Sequence, residues 1–259
     1  MTLKCTKLSK TYSTRSGEIA ALSDVSFEIN DGEFVCIVGP SGCGKTTLLK
    51  IIAGLLQPTS GKVIFNQSDP SNNKPKSALV FQDHGLFPWM TVLDNVAFGL
   101  KMQGINKKDR IHRSLDFIDR VGLSAFADNY GHELSIGMRQ RVGIARAFVA
   151  GAQILLMDEP FGSLDAQTKI VLQEELLKIW KDFQKIVVYV THDIEEAILL
   201  GDRILVMTAR PASIRSEISV PLKRPRTISL EKEASLSEIK WEIWNMLKDD
   251  VRHSVGFES

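Results

Sequence analysis

The chain is 259 residues long, 44% hydrophobic and 24% charged, with 32 Lys plus Arg against 31 Asp plus Glu. That balance excludes the basic footprint of a general nucleic-acid binder and the acidic composition of a disordered chain. At roughly 150 residues per domain the length allows one large domain or two small ones, burying about 70% of the unfolded surface. Cys5, Cys36 and Cys43 are odd in number and show no metal-ligand spacing, so they form neither a disulfide framework nor a cysteine metal site. No apolar run follows Lys4 or Lys7, and none in the chain nears the roughly 18 residues of a membrane span. The expectation is a reducing, cytosolic compartment and no membrane insertion by this chain.

Short β-rich runs alternate with helical patterns. Residues 2–8 and 25–29 are strand candidates, and 34–38 (Phe-Val-Cys-Ile-Val) has the composition of a buried strand. A glycine-rich loop follows, then a helix over 45–53. Residues 63–65 and 78–81 are further strands, separated by a polar loop or hairpin tip over 66–76. From about 91 to 150 apolar residues recur at three and four positions, as at Leu115, Ile118 and Val121, which predicts a helical insertion. Strand signals resume at 154–157, 186–191 and 203–207, with helices over 166–184 and 194–201 between them. Strands separated by helices predict a mostly parallel sheet. A Pro/Arg-rich stretch runs to Arg226, and a charged helix over about 230–250 closes the chain. Its Trp241 and Trp244, three residues apart, share one helical face that is expected to pack on the body.

Three segments carry chemistry. Gly39-Pro40-Ser41-Gly42-Cys43-Gly44-Lys45-Thr46 fits the phosphate-loop pattern at every fixed position, with a buried strand before it and a helix after. Its glycines let backbone N–H groups converge on phosphate oxygens, and the helix N-terminus adds partial positive charge. Lys45 is expected on the β- and γ-phosphates and the Thr46 hydroxyl on Mg²⁺. No third glycine follows Gly44 at the spacing a dinucleotide fold requires. The strand 154–157 ends in Asp158 and Glu159: the first is placed to hold Mg²⁺ through water, the second to orient or deprotonate an attacking water. Carboxylates at the carboxyl end of a parallel strand lie where open α/β sheets bind ligands. The strand 187–191 ends at His192, which can donate a hydrogen bond to a γ-phosphate.

Residues 134–141, Leu-Ser-Ile-Gly-Met-Arg-Gln-Arg, lie downstream of the phosphate loop, with Ser135 placed 23 residues before Asp158. This segment resembles the signature motif of ABC transporter ATPase subunits, and the resemblance spans roughly residues 3–226. In order, Tyr12 matches the aromatic that stacks on adenine, Gln82 the Q-loop, Asp165 in Ser163-Leu164-Asp165 the D-loop, and His192 the switch histidine. The resemblance implies an α/β, P-loop NTPase fold of the ABC-ATPase type, with a mostly parallel core sheet, an N-terminal antiparallel β subdomain and the helical insertion at 91–150. It implies an ATPase domain over 1–226 and a short helical tail over 227–259. ATP and Mg²⁺ are the implied cofactors. Nucleotide contacts fall on Tyr12, Gly39, Pro40, Ser41, Gly42, Cys43, Gly44, Lys45, Thr46, Thr47, Ser135, Gly137 and Asp165. Metal contacts fall on Thr46, Gln82 and Asp158, and catalytic roles on Glu159, His192, Gln82 and Lys45. Two subunits would sandwich two nucleotides head to tail, Ser135 and Gly137 of one meeting the phosphate held by Lys45 of the other. The charges at 138–141 are placed on the signature helix, and at least one of them is expected to be only part of a solvated helical face.

One position departs from the family pattern: Ile136 stands where the family has glycine. A β-branched residue gives up φ > 0 and adds bulk near the nucleotide, which either weakens turnover without abolishing it or, where the side chain points away, is harmless. Residues 86–92 (Leu-Phe-Pro-Trp-Met-Thr-Val), Asp94-Asn95-Val96, Arg210-Pro211 and Arg224-Pro225-Arg226 are similar to segments of nitrate, sulfonate and taurine importer ATPases, with a bicarbonate-importing branch close by. That branch implies a permease docking near Gln82 and Trp89, an external substrate-binding protein, and a peripheral place on the cytoplasmic face of the membrane. Two other readings stand beside it: a nucleotide-holding regulatory subunit with little turnover, and a non-transport ATPase of the same superfamily. The absence of coiled-coil insertions and the neutral charge count against the latter and against nucleic acid as a partner.

Overall fold

The computed structural model describes residues 1–15, 17–66, 77–82, 85–224, 226 and 234–254. The polar loop expected over 66–76 falls outside these except for Asn66. The chain divides into two compact units, Met1–Pro75 with Ile186–Ser259, and Lys76–Lys185.

In the first unit β1 (Thr2–Thr14) lies between β2 (Gly17–Asn30) and β4 (Ser60–Asn66), antiparallel to both. Leu3 and Cys5 point inward and pair with Ile29 and Phe27, giving the period-2 burial of a one-sided sheet. The alternation then slips: Leu8, not Lys7, is the next buried residue, and the register breaks where Lys7 (φ 47°) and Asp24 (φ 53°) adopt left-handed backbone. This is a β-bulge, and it explains why the strand continues past the expected limit of residue 8. Gly61 sits against it, where a Cβ would lie 2.2 Å from the Lys7 carbonyl oxygen, so only glycine fits.

The same unit holds a second sheet segment in the order β7 (Ile186–Thr191), β3 (Phe34–Val38), β8 (Arg203–Met207), β9 (Ile214–Ser219). Strands β7, β3 and β8 are parallel, and β9 runs antiparallel at the edge. Every residue of β3 and β7 is buried, as befits strands covered on both faces. β9 lies inside the Pro/Arg-rich stretch that carried no strand expectation; its alternating Ile-Arg-Ser-Glu-Ile-Ser buries little, because an edge strand owes its place to β8 rather than to an apolar run.

Helices α1 (Lys45–Ile52), α6 (Ile194–Leu200) and α7 (Ala234–Ser254) complete the unit. α7 buries Ile239, Ile243 and Leu247, a stripe at i, i+4, i+8 worth about 1.5–3 kcal/mol per side chain. That corrects the expectation for its tryptophans: Trp241 is 64% and Trp244 40% exposed, because they lie off the apolar stripe. Arg215 anchors the helix by an ion pair to Asp250 at 3.0 Å, and Lys240 pairs with Glu195.

In the second unit β5 (Ser77–Val80) pairs in parallel with β6 (Ile154–Asp158), and α2 (Val92–Met102), α3 (Lys107–Arg120), α4 (Ile136–Val149) and α5 (Ala166–Phe183) provide the helices. Each helix opens on a side chain that accepts from its first turn: Thr91, Asn106, Ser135 and Asp165. α2, α3 and α4 pack on one another, with Val96, Leu100, Ile118 and Val142 in their shared core. Leu115 is exposed, so the expected apolar recurrence narrows to Ile118 and Val121. Among the described residues no helix is long and apolar enough to cross a membrane.

Candidate functional site

The phosphate loop joins β3 to α1 in the first unit. Gly42 (φ 72°) and Gly44 (φ 129°) both occupy backbone regions that favour glycine. A Cβ on Gly44 would also meet the Ala21 carbonyl oxygen and Leu22 Cδ2, each at 3.0 Å. Lys45 is only 5% exposed, and its ammonium donates to the Gly39 and Pro40 carbonyls at 2.9 and 3.0 Å. The charge is thus drawn back over the loop it belongs to. The N-terminus of α1 has no side-chain cap and no acidic residue in its first turn, which leaves its N–H groups suited to an anion. Thr46 is exposed in that first turn.

Two neighbours complete this half. The Tyr12 hydroxyl lies 3.2 Å from Thr47 Oγ1, and the Lys10 ammonium stands 5.3 Å from the Tyr12 ring centre. The Arg210 guanidinium donates to the Gly42 carbonyl. Cys43 is buried, and burial pushes its thiol pKa up, so it stays a protonated packing group. His192 is exposed in the turn that follows β7.

The second unit carries the remaining candidates. Asp158 ends β6, half-buried, and Glu159 follows at φ 45°. A left-handed glutamate at a strand end is backbone strain of the kind that gathers at functional sites. The turn is closed by Gly162 N–H donating to the Glu159 carbonyl at 3.1 Å, and a Cβ on Gly162 would lie 3.3 Å from Gln82 Nε2. The structure therefore brings Gln82 beside the turn that bears Glu159. Asp165 caps α5, accepting from Thr168 N–H at 3.0 Å, and these bonds hold its carboxyl below the ordinary value.

Ser135 caps α4, accepting from Met138 N–H at 3.3 Å. Ile136 is the first helical residue and is not among the positive-φ positions. Its side chain is 43% exposed. Gly137 is closely packed: a Cβ there would stand 3.2 Å from the Thr168 methyl on α5. The expected solvated face at 138–141 is corrected: Gln140 is fully buried, Arg139 donates to the Leu134 carbonyl at 2.5 Å, and Arg141 lies 3.7 Å from Glu175.

Trp89 stands 70% exposed beside Phe87, whose ring also packs on Phe98. The loop presenting it is held by Asn95. That buried amide accepts from Phe87 N–H at 2.8 Å and donates to the carbonyls of Phe87, Met90 and Thr91 at 3.2, 3.1 and 3.0 Å. Asn95 and Arg210 were visible in the sequence only as parts of the importer-like segments. A polar residue on the apolar side of a helix was the one local signal for Asn95.

The family model described as ABC transporter matches residues 22–162. The chain is 46% identical to an uncharacterised ABC transporter ATP-binding protein of Methanocaldococcus jannaschii, over 98% of this chain and 94% of that one. It is 41% identical to a nitrate import ATP-binding protein of Synechocystis over 96% of each, and 42% identical to a taurine import ATP-binding protein of Roseobacter denitrificans over 98% and 97%. Among solved structures, a dimeric post-hydrolysis state of an ATP-binding cassette bound to ADP and phosphate aligns with a TM-score of 0.74 at 34% identity, over 85% of this chain and 100% of that one. With the phosphate loop, the signature segment and the strand-end carboxylate all in place on this fold, the chain belongs to the ABC transporter family, as one of its ATP-binding subunits.

Proposed function

We propose that the chain is the ATP-hydrolysing subunit of an importer for a small oxyanion or organic acid, such as nitrate, a sulfonate, taurine or bicarbonate. The observation that carries the hydrolytic reading is Glu159, held in left-handed backbone at the end of a buried strand beside Gln82. A binding module without turnover has no use for that strain. Lys45, released from the Gly39 and Pro40 carbonyls, takes the β- and γ-phosphates; the uncapped N-terminus of α1 receives the rest of their charge. Tyr12 stacks on the base. Glu159 orients and deprotonates the attacking water, and His192 donates to the γ-phosphate.

The Thr46 hydroxyl, the Gln82 amide oxygen and the Asp158 carboxylate are hard oxygen donors, a set that suits Mg²⁺, which completes its shell from phosphates and water. When bound, the ion neutralises charge on the transferring phosphate. Ser135 and Gly137, at the N-terminus of α4, and Asp165, at that of α5, serve the nucleotide held by a second copy or a paralogue. The cassette covers 1–226, with a helical insertion near 91–150 and a tail over 227–259. Trp89 and Phe87 anchor a membrane-spanning permease at the cytoplasmic face, and an external binding protein delivers the substrate.

Steady-state phosphate release tests the reading. The full chain should turn over ATP, and Glu159→Gln should bind ATP while losing at least a hundredfold in rate, in the range seen for single catalytic groups. Equal rates in both proteins would sink the enzyme assignment in favour of a regulatory nucleotide-binding subunit.

A further inference from the structure

A carboxylate that the mechanism above does not use lies buried in α6, four residues after His192. Glu196, in α6, is 4% exposed. Burying a carboxylate costs several kcal/mol unless its lone pairs are satisfied, and an apolar side chain of similar volume would be the cheaper occupant. Here the carboxylate oxygens each accept from a hydroxyl. Oε1 takes the Tyr189 hydroxyl at 2.8 Å, and Oε2 takes the Thr191 hydroxyl.

The Thr191 bond has a consequence that the Tyr189 bond lacks. With its proton committed to Glu196, the Thr191 oxygen presents a lone pair to the backbone, and it accepts from Asp193 N–H at 3.0 Å. Asp193 in turn accepts from Glu195 and Glu196 N–H at 3.0 and 3.2 Å, so the start of α6 is bolted to the same turn. The residue between the two anchored positions is His192. Such a chain of hydrogen bonds reinforces itself, because each donor polarises the next. The backbone on both sides of the exposed His192 is thereby held.

We propose that Glu196 is a positioning residue for His192, acting through the Thr191 hydroxyl and the 191–193 turn. The inference rests on the reading of His192 as the γ-phosphate donor. A histidine misplaced by even about 1 Å forfeits up to a hundredfold in rate without losing the substrate.

ATP turnover by the full chain tests this. Glu196→Gln offers one acceptor oxygen where two hydroxyls donate, and Thr191→Val keeps the strand residue's volume while removing the hydroxyl. Both should lower kcat about tenfold or more with KM for ATP changed less than twofold. Tyr189→Phe, which takes a bond from the same carboxylate but none from the turn, should keep wild-type kcat. In a His192→Ala background, Glu196→Gln should cost nothing further. Multiplicative losses in that background, or unchanged kcat in Glu196→Gln and Thr191→Val, would overturn the positioning role while leaving His192 as the donor. A His192→Ala variant with wild-type kcat would remove the donor reading and this inference together. A kcat loss in Tyr189→Phe equal to that in Thr191→Val would mark Glu196 as general core support and equally refute the inference.

Discussion

The Tyr12 hydroxyl stands 3.2 Å from Thr47 Oγ1, tying the ring on β1 to the first turn of the helix that follows the phosphate loop. On the proposed stacking role of Tyr12, the bond would set where an adenine lies relative to its phosphates. Tyr12→Phe keeps the ring and should weaken ATP binding less than threefold, a cost of one exposed hydrogen bond. Tyr12→Ala removes the stacking surface and should weaken it about tenfold or more. Fluorescent-nucleotide titration of the three proteins checks the order. Equal losses in both variants would show that the hydroxyl, not the ring, carries the contact.

Ile136 has helical backbone, so only its bulk can act on the nucleotide of a facing subunit. Ile136→Gly is expected to raise turnover of the assembled transporter a few-fold. An unchanged rate would assign the side chain to harmless solvent exposure.

Trp89 is mostly exposed while Asn95 holds its loop from inside. Trp89→Ala should therefore leave the urea midpoint within experimental error, as exposed positions do, and yet abolish co-purification with the permease. Asn95→Ala should lose both, because it removes the amide that accepts from Phe87 N–H and donates to the Met90 carbonyl, leaving those two half-buried groups without a partner. Retention of the permease by Trp89→Ala would place the anchor elsewhere.

Arg226 is a buried guanidinium, and burial with Arg224 nearby pushes it down to about 10, still charged at neutral pH. It donates to the carbonyls of Ile198 (2.9 Å), Gly201 (2.5 Å), Val220 (3.2 Å) and Leu222 (2.9 Å), closing the C-terminus of α6. Arg226→Ala should cost about 1–3 kcal/mol by urea unfolding, since it leaves buried carbonyls without their guanidinium donor. Arg226→Lys should recover less than half of it, since an ammonium cannot span that set of acceptors.

Cys5, Cys36 and Cys43 are all buried, and burial is the leading cause that raises each thiol pKa. An unfolded thiol ionises near 9.0. Above that pH the folded chain holds protons that the unfolded chain has lost, so stability falls as pH rises through this region. Urea midpoints at pH 8 and pH 10 should show the drop, and Cys36→Ala should make it shallower. Alkylation at pH 8 should be slow in the native chain and fast in urea; rapid native labelling of Cys43 would contradict its burial.

The chemistry was legible in the sequence because it is local. Gly42 and Gly44 sit where the backbone needs positive φ, and Lys45 and Thr46 must follow them at the mouth of a helix, so spacing alone identifies the loop. Ser135 and Asp165 announce helix starts by the same local rule. The assignment of a particular face was not legible. In α7 two tryptophans and an isoleucine stripe compete for burial, and only packing on the body gave it to Ile239, Ile243 and Leu247. Gln140 is buried, Arg139 turns back to the Leu134 carbonyl and Arg141 lies near Glu175 on another helix, which no helical period records.

The sequence by itself determined the strand–loop–helix order, the phosphate loop, the signature segment and the carboxylate pair, since these depend on backbone dihedrals and short spacings. Only the tertiary structure decided that the bulge at Lys7 requires Gly61, that Arg226 closes α6, and that a buried Glu196 takes the hydroxyls of Tyr189 and Thr191. Each of these joins residues through contacts whose value exists only after the chain has folded.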